Sequence, residues 1–191
     1  MKKNVIWKNI VVLTVIALVS VFLLSLVYQV TKDPIEKAAA AKQAAAYKAM
    51  YDESIELSLA ENAVTAITEN KAALEASFNG AYVTDAMVAK QGDTVIGYAI
   101  TAVSPKGYGG EITMAVRVDL TADGAVVNGL RVLEQSETAG FGNVCGEESY
   151  WGQYTDSAKT EAVIISGATY TTNAIDDALQ AAVTFAADYM G

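Results

Sequence analysis

The chain has 191 residues, with 13 basic against 22 acidic side chains and a formal net charge of −9. A surface of that sign repels phosphate backbones, which argues against nucleic acid as a partner. Histidine is absent and Cys145 is the single cysteine. The commonest general base and metal ligand is therefore missing, and no intramolecular disulfide or multi-cysteine cluster can form. No resident metal, haem or iron–sulfur centre, and no catalytic acid–base residue, is expected from this chain alone.

The excess of apolar residues sits largely near the start. Residues 9–31 run for 23 positions without a charge. At 1.5 Å per residue a helix of that length spans about 34 Å, enough for a bilayer core of about 30 Å. A cleaved signal peptide is the competing reading. Its apolar core is shorter, about 7–15 residues, and ends at a small-residue cleavage site. Here the run ends in Tyr28-Gln29-Val30-Thr31-Lys32-Asp33-Pro34, so a retained transmembrane anchor is expected, embedded in the lipid bilayer. No cysteine follows the run to offer a lipid attachment. Lys2, Lys3 and Lys8 precede it, and the positive-inside rule places residues 1–8 in the cytoplasm and the remainder outside the cytoplasm. Lys32, Lys37, Lys42 and Lys48 on the far side weaken that assignment.

Residues 32–79 are read as a stalk and helical segment. Ala38 to Ala46 is rich in helix formers, and Glu53, Ile55, Leu57, Leu59 and Ala63 continue the run toward Phe78. Residues 80–191 are read as the main domain. Tyr82 to Val88 predicts a strand, Gln91-Gly92-Asp93 a turn, and Thr94 to Ile100 a second strand broken at Pro105 to Gly110. Ile112, Met114, Val116, Val118 and Leu120 alternate with polar or small residues, the period-2 signature of a half-buried strand. Asp123-Gly124 predicts a hairpin, with Ala125 to Leu133 as the returning strand. A final helix is predicted from Asn173 to Tyr189, with Asn173 as N-cap and Asp176 and Asp177 near its positive end. The fold class is thus α+β: a transmembrane helix and stalk helix, then a domain with an antiparallel sheet and flanking helices.

Three segments stand out from this frame. Gly107-Tyr108-Gly109-Gly110-Glu111 leads into a strand, Glu134 to Gly142 leaves one, and Ser166-Gly167-Ala168-Thr169-Tyr170-Thr171-Thr172 lies just before the predicted last helix. Turn-forming glycines and an over-rich helix cap explain each of them singly. Small residues also let a large group approach the backbone, and hydroxyls beside a helix N-terminus suit a phosphate. The P-loop lysine is missing, so a nucleoside triphosphate fits poorly.

The order of these segments behind an apolar N-terminal helix resembles the G subunit of the Rnf electron-transport complex. It is similar also to the C subunit of the sodium-pumping NADH:quinone oxidoreductase. The resemblance covers nearly the whole chain and is strongest from Gly107 to Thr172. In those families an S/T-G-A-T motif accepts FMN through a phosphoester on its threonine, installed by a flavin transferase. Thr169 matches that threonine, Ser166, Gly167 and Ala168 the residues before it, and Thr171 and Thr172 the hydroxyl pair after it. The family's glutamate-threonine-proline-glycine-leucine-glycine loop corresponds to Glu137, Thr138, Ala139, Gly140, Phe141 and Gly142. Ala139 stands where proline is usual, and Val163 where the family carries an acid.

The resemblance implies that residues 80–191 are an FMN-binding domain with covalent FMN on Thr169, its pocket shaped by the loop from Glu137 to Gly142 and by Tyr108. It implies an electron-carrier subunit among the other membrane subunits of an Rnf-type complex, relaying electrons between ferredoxin and NAD with coupled ion transport. A stand-alone, membrane-anchored flavin module for extracytoplasmic electron transfer is the alternative, and an adaptor without cofactor is a third reading. Among the aromatic residues, Tyr108, Phe141, Tyr150, Trp151 and Tyr170 are candidates to stack on the flavin ring or to be ordinary core. Cys145 reads as a buried thiol.

Overall fold

The computed structural model describes residues 2–60, 62–122 and 124–189. It divides into two compact units, one ending at Lys42 and one beginning at Gln43. The first unit is helical. Helix α1 (Lys2–Ala49) supplies its described residues and passes on into the second. From Trp7 onward α1 is long and apolar enough to cross a membrane. Its apolar side chains from Trp7 to Val30 are exposed, Leu24 at 70% and Phe22 at 65%. The hydroxyls in this stretch turn inward: Thr14 donates to the Ile10 carbonyl and Ser20 to the Ile16 carbonyl, each at 2.9 Å. Such back-bonding satisfies a polar group without water.

The second unit is built on one antiparallel sheet of five strands in the order β1-β2-β3-β4-β5. They are β1 (Glu56–Leu59), β2 (Tyr82–Gln91), β3 (Thr94–Gly107), β4 (Gly110–Thr121) and β5 (Gly124–Glu134). Helix α2 (Ala63–Ser77) links β1 to β2. A short helix α3 (Glu148–Trp151) lies between two 3-10 turns, and α4 (Thr169–Tyr189) closes the chain. Alternation in the strands sorts side chains between two faces. On one face Ile100, Ile112, Met114, Val116 and Leu130 join Leu74 of α2 and Ile175, Leu179 and Phe185 of α4 in the main core. On the other, Ala99, Ala115 and Leu133 receive Tyr47 and Met50 from the end of α1.

That second contact is pinned by polar bonds. The Tyr47 hydroxyl pairs with Thr101 Oγ1 at 2.7 Å, and Gln43 Nε2 donates both to Tyr47 at 3.2 Å and to the Asp85 carboxylate. Arg117 on β4 holds Asp119 in a bidentate pair and donates to the Met50 carbonyl at 2.9 Å, where a helix end leaves acceptors unmet. A fragment beginning at residue 80 lacks Tyr47, Met50, β1 and α2, including the buried Leu74. Those losses exceed a typical domain stability of about 5–15 kcal/mol. A fragment starting at Gln43 is expected to melt cooperatively by circular dichroism and one starting at residue 80 to show no transition.

Beneath Arg117 lies Tyr51, its ring centroid 4.7 Å from the guanidinium carbon. Its buried hydroxyl has no hydrogen-bond partner among the described residues. An unmet buried donor is costly, so Tyr51→Phe is expected to be neutral or to raise stability by up to about 1 kcal/mol, read as an unchanged or higher Tm.

Three sequence expectations change. Glu56–Leu59 is a strand, paired through Glu56 with Lys90 and through Leu59 with Met87, where a helical run was expected; pairing with β2 overrides local propensity. Strand β3 continues through Pro105 because the register shifts between Ser104 and Gly107, a bulge where a missing N–H is tolerated. The last helix begins at Thr169 and Asn173 lies inside it, because hydroxyl bonds from Thr172 close the first turn. The stalk's final turns and the residues after them belong to the compact unit that begins at Gln43. Asp123 of the expected hairpin lies outside the described residues. Gly124, at φ +128°, pairs with Thr121 and closes that turn.

Candidate functional site

Three connections meet beside the N-terminus of α4. They are the β3–β4 turn at Tyr108–Gly109, the segment after β5 from Gln135 to Gly142, and the stretch from Ile165 into α4. A cleft of about 330 Å³ lies among them, lined by Tyr108, Glu137, Thr138, Phe141, Gly142, Gly167, Ala168, Thr169, Tyr170 and Thr171. That volume is within the range for small-molecule pockets, about 300–1,000 Å³.

Backbone geometry brings the connections together. A Cβ on Gly109 would lie 2.5 Å from the Ser136 carbonyl carbon, and one on Gly142 would lie 2.5 Å from Glu137 Oε2. Only glycine permits such approach. Glu137, 8% exposed, accepts the Gly109 N–H at 2.9 Å on one carboxylate oxygen and the Thr171 hydroxyl on the other. Its own N–H donates to Gln135 Oε1 at 2.5 Å. Downstream, Phe141 N–H bonds the Thr138 carbonyl at 3.1 Å and Gly140 N–H the Asn143 side chain at 2.7 Å.

The third connection is held from behind. Tyr150 donates to the Val163 carbonyl at 2.9 Å, Val163 N–H donates to the Tyr154 hydroxyl at 2.7 Å, and Ala162 N–H donates to Asp176 at 2.8 Å. Burial pushes both phenols up in pKa, so they remain neutral hydroxyls, Tyr150 donating and Tyr154 accepting. The side chain of Val163 packs against the main core. An aliphatic residue suits that place, where a carboxylate would be desolvated. Gly167 then turns the chain at φ +79° into α4. Thr172 Oγ1 accepts the Ile165 N–H at 3.0 Å and donates to the Ala168 carbonyl at 3.1 Å. The first N–H groups of a helix have no partner within it, and here Thr169, Tyr170 and Thr171 present them at the cleft.

Most of the expected site residues converge. Thr169, Gly167, Ala168, Thr171, Glu137, Thr138, Phe141, Gly142 and Tyr108 line the cleft, whereas Ser166, Gly140 and Thr172 do not. Thr172 serves the turn, Gly140 the loop, and Ser166 is exposed away from the lining. Among the aromatic candidates, Tyr108 (72% exposed), Phe141 (56%) and Tyr170 (70%) stand at the cleft. Tyr150 is core, and Trp151 is covered by the Arg131 guanidinium at 3.4 Å. The role of Gly109 was not foreseen; its only signal was a glycine pair after Tyr108. Cys145 is fully buried, and burial, then the neighbouring Glu137 charge, push its thiol up to about 11.

FMN fits this donor set. An uncommitted hydroxyl and free N–H groups suit its phosphate, and three solvent-exposed aromatic rings suit its isoalloxazine. Residues 107–184, which contain all three connections, match the FMN-binding domain family. Residues 1–50 match the RnfG N-terminal region. A relative, the G subunit of the proton-translocating ferredoxin:NAD(+) oxidoreductase complex of Clostridium ljungdahlii, is 29% identical over 119 residues, 56% of this chain and 62% of that protein. The chain thus spans under two thirds of the curated relative's length. The cleft lies within the stretch that matches the FMN-binding domain family. At its N-terminal region and at its cleft, the chain is thus similar to FMN-binding proteins of the RnfG type.

Proposed function

We propose that this chain is the electron-relay subunit of an Rnf-type membrane complex, carrying FMN as a phosphoester on Thr169. The observation that carries the reading is the place of Thr169: exposed, on the cleft and first in α4. Bound FMN supplies electron transfer. The chain supplies attachment, orientation and shielding. The N–H groups of Thr169, Tyr170 and Thr171 offer the phosphate the positive end of the α4 dipole. Tyr108, Phe141 and Tyr170 offer the ring apolar walls. Glu137 keeps the two glycine-bearing loops against the helix. None of these steps requires a proton donor or acceptor from the chain.

In this reading the apolar part of α1 anchors the protein in the bilayer, with residues 1–8 cytoplasmic and the FMN domain on the other side. A flavin transferase installs the cofactor, and the other membrane subunits exchange electrons with it between ferredoxin and NAD, coupled to ion transport. The match of residues 1–50 to the RnfG N-terminal region supports this arrangement, as does the activity for which the clostridial relative's complex is named. The test is the intact mass of the membrane-extracted protein produced with its transferase. A gain of one FMN less one water is expected; the bare polypeptide mass would overturn the covalent reading.

A further inference from the structure

The segment at the cleft is crowded with hydroxyls, yet most are already engaged. Thr172 is bonded to Ile165 N–H and the Ala168 carbonyl. Thr171, 1% exposed, donates its hydroxyl hydrogen bond to Glu137. Glu137 in turn takes the Gly109 N–H, from a turn 28 residues earlier in the chain. One carboxylate therefore bridges the β3–β4 turn and the first turn of α4, while its own backbone belongs to the segment after β5. Gly142 packs so closely on Glu137 and Thr171 that a side chain there would displace one of them. Among the threonines in the first turn of α4, Thr169 is the one on the cleft with no side-chain hydrogen bond among the described residues.

We infer that Glu137 is a positioning residue that acts through Thr171: the clasp fixes the first turn of α4 so that Thr169, and not its neighbour, presents its hydroxyl to the cleft. This rests on the reading of Thr169 as the FMN attachment residue, but the clasp itself does not. A carboxylate is suited to the task because both its oxygens accept and neither donates. Hydrogen bonds to a charged acceptor are also the stronger kind.

The experiment uses the full-length, membrane-extracted chain made with its transferase, as wild type, Glu137→Gln, Thr171→Val, Thr171→Ser and the Glu137→Gln/Thr171→Val pair. Peptide mass mapping reads flavin on Thr169, amide exchange reads the Gly109 N–H, and Tm reads the folded state. Thr171→Val keeps the shape and removes the donor. It is expected to lower flavin occupancy on Thr169 under limiting transferase and to speed Gly109 exchange, each by about tenfold, the scale of one hydrogen bond to a charged group. Thr171→Ser restores the hydroxyl and is expected to behave as wild type. The double variant is expected to lose no more than the larger single loss, the mark of two residues acting as one unit. Wild-type Gly109 exchange and wild-type occupancy in folded Thr171→Val would overturn the clasp. A wild-type chain free of flavin would instead overturn the attachment reading, and the Gly109 amide would still decide the clasp. If Glu137→Gln does not fold, the Val and Ser variants at Thr171 carry the comparison alone.

Discussion

Thr169→Ala is expected to return the chain to its bare polypeptide mass and to abolish flavin fluorescence in a denaturing gel. Thr169 is exposed and makes no side-chain hydrogen bond among the described residues, so its removal leaves packing untouched. Stability should stay within about 0.5 kcal/mol of wild type, as for other surface changes away from caps and cores. Ser166 is exposed but off the cleft, and Thr171 and Thr172 are buried and bonded. None of the three is placed to replace Thr169. Thr169→Ser keeps the nucleophilic oxygen and should retain the label. In native buffer Thr169→Ala still offers FMN the same aromatic walls and helix N–H groups. Weak flavin binding that vanishes on denaturation is therefore expected, and a label that survives denaturation would place the attachment elsewhere.

Gly109→Ala is expected to destabilise the domain by about 3 kcal/mol or more, read as a lower urea midpoint, because overpacking against backbone has no side chain to yield. Its Cβ would fall onto the Ser136 carbonyl and within 3.0 Å of Glu137 N. Relief requires the β3–β4 turn to part from the segment after β5. That movement takes Gly109 N–H away from Glu137, so flavin occupancy should fall together with stability. Gly152 is the control. It has helical angles, φ −59° and ψ −22°, and open space around the position of a Cβ. Gly152→Ala should be neutral or slightly stabilising through the unfolded chain.

The parts of this fold that were legible in the sequence are those set by local pattern. The alternation from Ile112 to Leu120 is β4, and its apolar members are the buried ones up to Val118. The segment from Ser166 to Thr172 signalled its place by composition, because small residues and hydroxyls at a helix start are suited to a phosphate-bearing ligand. What stayed hidden depends on partners distant in sequence. Leu57 and Leu59 carry no sign that Ala89 and Met87 will pair with them. The start of α4 depends on Thr172 bonding to Ile165 and Ala168, which moves the helix boundary four residues upstream of the expected Asn173 cap. Glu137 read as part of a loop near the cofactor. That it binds two other segments required the positions of Gly109 and Thr171 together.

The burial of Cys145 has a consequence for chemical durability. A reduced flavin that meets oxygen yields peroxide, and peroxide attacks cysteine as the thiolate. The chain's single thiol sits near the wall of the cleft, but it is sealed from solvent and held protonated by its surroundings and by Glu137. It therefore does not enter the oxidation series that begins with sulfenic acid. In the proposed flavin-bearing state, the chain's one thiol thus stays out of reach of the cofactor's by-products.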